Sequence, residues 1–168
     1  LDLSRIEMGK PIPLSKEPVS MKTLIEEVAA AIKIQAEEKK LKITLEIQEG
    51  LPTIMGDSIK LKRVLTNLLG NSIKFVPEGG EIKIRAFVAD SSIRVEVIDN
   101  GVGIASENLE KIFEKFFQVD SSITRVAGGL GMGLPIARQL VELHGGKLWA
   151  ESEGLGRGAK FTFILPVV

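Results

Sequence analysis

Asp99-Asn100-Gly101-Val102-Gly103-Ile104 ends an apolar alternating stretch, and Gly128-Gly129-Leu130-Gly131-Met132-Gly133-Leu134 stands further along the chain. Adenine presents an amino donor where guanine presents a carbonyl oxygen, so a carboxylate such as Asp99 can select an adenine nucleotide. Gly101 and Gly103 would let backbone approach the purine, and Ile104 would supply apolar contact to its ring. Gly128 to Leu134 abuts an expected helix start, where unpaired N–H groups and the positive dipole end suit a triphosphate. Each signal is weak alone. Asp-Asn-Gly also fits a type I′ turn without a ligand, and a glycine cluster also fits a flexible loop.

A third constellation lies on a helix, where Lys60, Arg63, Asn67, Asn71 and Lys74 fall on one stripe. The carboxamide oxygen of Asn71 suits Mg²⁺, which takes one or two protein oxygens together with phosphates and waters. Asn67 lies one turn earlier and Lys74 about one turn later, so all three can face one triphosphate. The plainer reading is the polar side of an amphipathic helix. Two asparagines in mid-helix are poor helix formers, which favours a role.

Other chemistries are excluded or disfavoured. The chain has no Gly-x-x-x-x-Gly-Lys-Ser/Thr loop, no Gly-x-Gly-x-x-Gly in the glycine cluster, and no His-Arg-Asp or Asp-Phe-Gly signature. No cysteine and a single histidine exclude a disulfide framework and all but exclude a Cys/His zinc site. Lys plus Arg equals Asp plus Glu at 22 each, so no overall basic field attracts nucleic acid or anionic lipid. No apolar run approaches the roughly 20 residues that span a bilayer, and no signal peptide opens the chain. The 168 residues are expected to form one soluble domain with its own core.

The elements that must position these residues follow from periodicity. Leu1 to Gly9 reads as the tail of a longer helix, and Pro11, Pro13 and Pro18 mark a linker or edge segment. Ser20 caps a helix reaching about Lys39, with Val19 and Leu24 as a hydrophobic staple. Leu41 to Gln48 alternates as a strand, and Asp57 caps a second helix with Leu61, Val64, Leu65, Leu68 and Leu69 on its apolar face. Ile82 to Val88 and Ile93 to Val97 form a strand pair that delivers Asp99. Ser106 is expected to cap a short helix holding Leu109, Ile112 and Phe113, and Phe116 to Gly128 reads as a mobile lid. Gly133 leads into a third main helix, with Pro135 tolerated in its first turn. Leu148 to Glu151 and Phe161 to Leu165 make a closing hairpin. One mixed sheet with helices on one face is the economical α/β architecture.

Asn67-Leu68-Leu69-Gly70-Asn71-Ser72-Ile73-Lys74-Phe75, the Asp99 to Ile104 segment, Phe113-Glu114-Lys115-Phe116-Phe117 and Gly129 to Leu134 occur in order. Together they resemble the N, first-glycine, F and second-glycine boxes of sensor histidine kinases, and the resemblance runs from about Glu17 to Pro166. It implies the Bergerat fold of the superfamily that includes gyrase and mismatch-repair ATPases: a two-layer α+β sandwich with a mixed five-stranded sheet, three helices and a lid over ATP. It further implies that Asp99 holds the adenine amino group, Asn71 ligates Mg²⁺, Lys74 contacts phosphate and Phe75 lies along the base. Asn67 would assist the Mg²⁺ region, and Gly129, Leu130, Gly131, Met132, Gly133 and Leu134 would line the phosphates. Residues 1–13 look like the end of a dimerisation helix and linker, and residues 14–168 like the catalytic domain. Three positions depart from the commonest pattern. Gln118 stands where arginine is usual, with Arg125 a possible substitute at the γ-phosphate; Pro135 replaces a small residue; Ala159 sits where threonine or serine is common.

Related ATPases keep a glutamate four residues before the Mg²⁺ asparagine, and here that position is Asn67, which cannot act as a general base. Slow intrinsic hydrolysis follows, with the γ-phosphoryl reserved for a histidine on a separate dimerisation and phosphotransfer domain of the same parent. From that domain it would pass to a response-regulator receiver domain. His144 is read as a helix-end imidazole bonded to terminal carbonyls rather than as the acceptor. Phe113, Phe116 and Phe117 are expected to anchor the base of the lid, and Trp149 to sit in the core. The isolated domain is expected to be monomeric, its parent a cytoplasm-facing homodimer, either membrane-anchored or not. A nucleotide-sensing module without transfer and a mechanical ATPase are the alternatives.

Overall fold

The computed structural model describes residues 13–114 and 133–167. Residues 1–12, 115–132 and 168 lie outside them, and with them the expected lid of Phe116 to Gly128, including Phe117, Gln118 and Arg125, and the residues Gly129, Leu130, Gly131 and Met132.

Three α-helices form one layer among the described residues. Helix α1 (Met21–Glu38) starts where the Ser20 hydroxyl accepts from Thr23 N at 3.3 Å, and buries Met21, Leu24, Ile25, Val28, Ile32 and Ala36. Helix α2 (Ser58–Phe75) starts at Asp57, whose carboxylate accepts from Lys60 N at 3.1 Å. It buries Leu61, Val64, Leu65, Leu68, Leu69, Ser72 and Ile73. Helix α3 (Gly133–Leu143) buries Ile136, Ala137, Leu140 and Val141, and Pro135 sits in its first turn. Helix α2 packs against both others. Lys39, just past the end of α1, donates from Nζ to Ile73 O at 2.6 Å, placing a cation at the negative end of α2.

The second layer is a five-stranded sheet of β2 (Lys42–Ile47), β4 (Glu81–Ala89), β5 (Ser92–Asp99), β6 (Lys147–Glu151) and β7 (Ala159–Pro166), in the order β2-β4-β5-β7-β6. β2 runs parallel to β4 and every other pair is antiparallel, so the sheet is mixed as expected. Asp90 and Ser91 have φ values of 51° and 63°, the positive pair that a two-residue type I′ hairpin needs. Alternation then sends Ile93, Val95 and Val97 of β5 and Phe161, Phe163 and Leu165 of β7 into the helix layer, all essentially without solvent contact.

Two strands outside this sheet, β1 (Glu17–Val19) and β3 (Ile54–Gly56), pair antiparallel and tie the entry segment to the start of α2. Pro18 therefore occupies an edge strand, where its missing N–H costs little. Strand β3 is too short to show alternation in the sequence.

Two local expectations need correction. Ser106 caps nothing: the segment forms two 3₁₀ turns, Ser106–Asn108 and Lys111–Phe113, and Ala105 precedes the first without a side-chain hydrogen bond. Trp149 is half-buried on the sheet's outer face, because Leu148 takes the helix side and the next residue must face away. Its indole N–H donates to Glu151 at 2.8 Å, and the Arg94 guanidinium lies 5.3 Å from a ring centroid.

Candidate nucleotide site

Helix α2 is the spine on which the separated motifs meet. At its C-terminal end, Val102 N donates to Phe75 O at 3.1 Å, which ties the first glycine loop to the helix. A Cβ on Gly101 would stand 2.6 Å from Phe75 O, and one on Gly103, at φ +76°, would stand 2.1 Å from Gly154 O. Among the described residues the need for glycine at both positions thus comes from packing the loop against protein backbone. Toward the other end of the stripe, Asn67 Nδ2 donates to Gly133 O at 3.1 Å, bringing the edge of the second glycine loop to the same helix. Asn67 and Ser72 are separated by about 7.5 Å along the axis at 1.5 Å per residue, and Asn71 lies between them.

Asp99, at the end of β5, is half-buried. Oδ1 accepts from Gly101 N at 2.9 Å and Oδ2 accepts from the Ser72 hydroxyl at 3.3 Å. Burial raises its carboxyl above the usual carboxylate range, against the opposing pull of the Gly101 N–H, the Ser72 hydroxyl and the Ala159 N–H. These donors are all neutral. An ionised carboxylate offers about four acceptor positions, so these contacts leave capacity for a further donor.

The remaining candidates sort by position. Asn71 is half-buried, and its carboxamide has no hydrogen bond to any described residue. Lys74 is exposed in the last turn of α2, and Phe75 is half-buried beside it. Ile104 is buried, with its N–H donating to the Ser152 hydroxyl at 3.1 Å. Leu134 is half-buried in the first turn of α3. Phe113 is buried and meets Phe161 edge-on at 6.3 Å between centroids, the anchoring role expected of it. Arg125 and residues 129–132 fall outside the described residues.

Sequence reasoning missed two participants. Ser72 is a hydroxyl on an otherwise apolar stripe, and that anomaly was its available signal. Asn100 turns its side-chain oxygen back to the sheet, accepting from Glu81 N at 2.8 Å, so it fixes the loop to β4. His144 is buried; Nδ1 donates to Leu140 O at 2.7 Å and Nε2 accepts from Asp57 N at 3.0 Å. Both nitrogens are thus committed to a joint between α3 and α2, in line with the helix-end reading. Among the described residues, no cluster of three or more His, Cys, Asp or Glu could hold a metal by itself.

Known proteins share this arrangement. Residues 56–168 match the family described as histidine kinase-, DNA gyrase B-, and HSP90-like ATPase. The chain is 35% identical to hybrid signal transduction histidine kinase D of Dictyostelium discoideum over 100% of its length, and 36% identical to the circadian input-output histidine kinase CikA of Synechococcus elongatus over 99%. It spans only 13% and 22% of those two relatives. Among solved structures, full-length ShkA in complex with AMPPNP superposes with a TM-score of 0.86 at 35% identity, over 98% of this chain and 34% of that one. The catalytic domain of histidine kinase ThkA superposes with a TM-score of 0.79 at 30% identity, over 90% of this chain and 95% of that one. The fold is thus common to these proteins, and the chain belongs to the histidine kinase-, DNA gyrase B-, and HSP90-like ATPase family, among its histidine-kinase catalytic domains.

Proposed function

We propose that this domain binds Mg-ATP along α2 and donates the γ-phosphoryl group to a histidine on a separate dimerisation and phosphotransfer domain of the same parent protein. The observation that carries this reading is Asp99, a half-buried carboxylate held among the described residues by neutral donors and left with acceptor capacity where β5 meets α2. An adenine amino group matches that capacity, whereas the guanine oxygen opposes it. Gly101, Gly103 and Ile104 shape the base end, Phe75 lies along it, and Lys74 serves the phosphates. Arg125 and the stretch from Gly129 to Leu134 would serve them as well. The relative bound to AMPPNP supports the nucleotide class.

The residues present fit a magnesium ion carried by the nucleotide. Asn71 offers a single uncommitted oxygen, which suits an ion that keeps waters and phosphates as most of its ligands. When bound, Mg²⁺ would neutralise phosphate charge. Asn67 already spends its amide N–H on Gly133 and has no basic lone pair to activate water, which disfavours the mechanical ATPase. Catalysis then rests on positioning and charge neutralisation, with the histidine nucleophile brought from outside.

On the same reading, residues 1–13 end the dimerisation helix and its linker, the parent is a homodimer whose catalytic domain faces the cytoplasm, and a receiver domain takes the phosphoryl group last. The structure of histidine kinase ThkA in complex with response regulator protein TrrA supports a response-regulator partner. The deciding experiment mixes this domain, the parent's dimerisation domain and ATP with Mg²⁺. Acid-labile, base-stable phosphate on the acceptor domain is expected. Tight ATP binding without such phosphate would favour the nucleotide-sensing module, and rapid phosphate release without acceptor would favour an ATPase.

A further inference from the structure

We propose that Ser72 is a positioning residue for nucleotide recognition: its hydroxyl, reaching from α2, holds the Asp99 carboxylate in the plane that presents its free acceptor sites to the adenine amino group. The inference rests on the reading of Asp99 given above.

Ser72 is 1% exposed and lies on the stripe formed by Leu61, Val64, Leu65, Leu68 and Leu69. Burying a hydroxyl there is unfavourable unless it is bonded, and alanine would serve packing better. A mid-helix serine ordinarily turns to the carbonyl one turn back or to water. Here it donates across the layer boundary to Asp99 Oδ2. The Gly101 N–H fixes Oδ1 only, and a carboxylate held at one oxygen still rotates. A second donor from another element fixes the plane.

Beyond the Ala159 N–H, the described sheet residues beside the carboxylate supply no side-chain donor. Asp99 pairs directly with Ile82 on β4 and Ala159 on β7, and neither has a polar side chain. Directly paired residues project to the same face, so a methyl group fills the β7 position beside the carboxylate. Charged groups on the surrounding elements are engaged elsewhere or face water. Lys160 of β7 pairs with Glu96 and Glu151, Lys83 of β4 pairs with Glu46, and Glu81 and Lys74 are exposed. The hydroxyl therefore comes from the helix.

The test is ATP titration calorimetry across pH on Ser72→Ala, Ser72→Cys and the double variant Ser72→Ala/Ala159→Ser, with Asp99→Asn as reference. Ser72→Ala should bind ATP about tenfold more weakly, the cost of one hydrogen bond to a charged group. Its loss of affinity on acidification should begin at higher pH, because burial of the carboxylate is then less opposed. Ser72→Cys, a weaker donor of similar size, should fall between, and a hydroxyl at 159 should restore both affinity and pH profile. Wild-type affinity and profile in Ser72→Ala would overturn the inference alone, as would a loss that Ala159→Ser leaves unrepaired with the pH profile unmoved. Wild-type affinity in Asp99→Asn would overturn the site reading itself, and the inference with it.

Discussion

Strand β5 carries two inward-drawn carboxylates, Glu96 and Asp99, on opposite faces of the sheet, and the protein treats them in opposite ways. Glu96 is 3% exposed on the outer face and is surrounded by cations: Arg85 at 3.1 Å, Arg94 at 3.4 Å and Lys160 at 3.6 Å. Arg85 and Lys160 reach on to Glu46 and Glu151, so the charge belongs to a ladder running across the strands. Asp99, half-buried on the helix face, receives N–H and hydroxyl donors alone among the described residues, and burial pushes its carboxyl up. A buried charge met by several cations is compensated and has little left to offer a ligand. A buried charge met by neutral donors retains both a desolvation cost and acceptor capacity, which is the condition expected of a recognition group.

The contrast yields four predictions. The largest effect is expected from Asp99→Asn, which should weaken ATP binding about a thousandfold by placing an amide donor against the adenine donor. Thermal melts should show the fold retained, at a melting temperature equal to or above wild type, because the burial penalty disappears. Glu96→Gln should do the reverse. Stability should fall by about 2 kcal/mol in urea titrations, below the usual range for breaking a buried pair because its cations remain partly solvated. ATP affinity should stay at the wild-type value.

Asn71→Ala should lower the magnesium-dependent part of ATP affinity about tenfold and leave magnesium-free binding alone, which paired calorimetric titrations with and without chelator would check. The smallest change is expected from Asp57→Asn, at about 1 kcal/mol, because the amide still caps the Lys60 N–H but turns a donor toward the Ser15 N–H. Its pH dependence separates the acids further. Burial pushes the Asp57 carboxyl up, but the Ser15 and Lys60 N–H groups, the Lys60 ammonium and His144 together hold it below its ordinary 3.8. Its stabilisation is present above that value and lost as pH falls through the folded value. Asp99 is raised, so its contribution is present below 3.8 and lost as pH climbs through the folded value above it. Urea midpoints measured across pH should flatten below 3.8 in Asp57→Asn and above 3.8 in Asp99→Asn.

Much of this was legible beforehand. Ser20 and Asp57 cap the helices expected of them, and the alternation of Ile93, Val95 and Val97 does deliver Asp99 to the end of its strand. These are properties of short windows, set by helical and strand periods and by local side-chain to backbone bonds. Most of what stayed illegible involves partners far away in the chain. Ser72 read as one residue of a helix until Asp99, 27 positions on, proved to be its acceptor. His144 read as a helix end, and its second nitrogen turned out to accept from Asp57, 87 positions earlier. Trp149, alone on its expected strand, read as core, although the parity of that strand turned it outward.

Residue types and spacing by themselves determined the main helices and strands, the α2 stripe of Asn67, Asn71 and Lys74, and the placing of Asp99 at the end of its strand, because each depends on periods and bonds within a few residues. Only the tertiary structure decided that Asp99 is left to neutral donors while Glu96 is enclosed by cations, and that Gly101 and Gly103 are demanded by neighbouring backbone. Desolvation and acceptor capacity depend on which groups arrive from distant segments, and that is settled when helix packs on sheet.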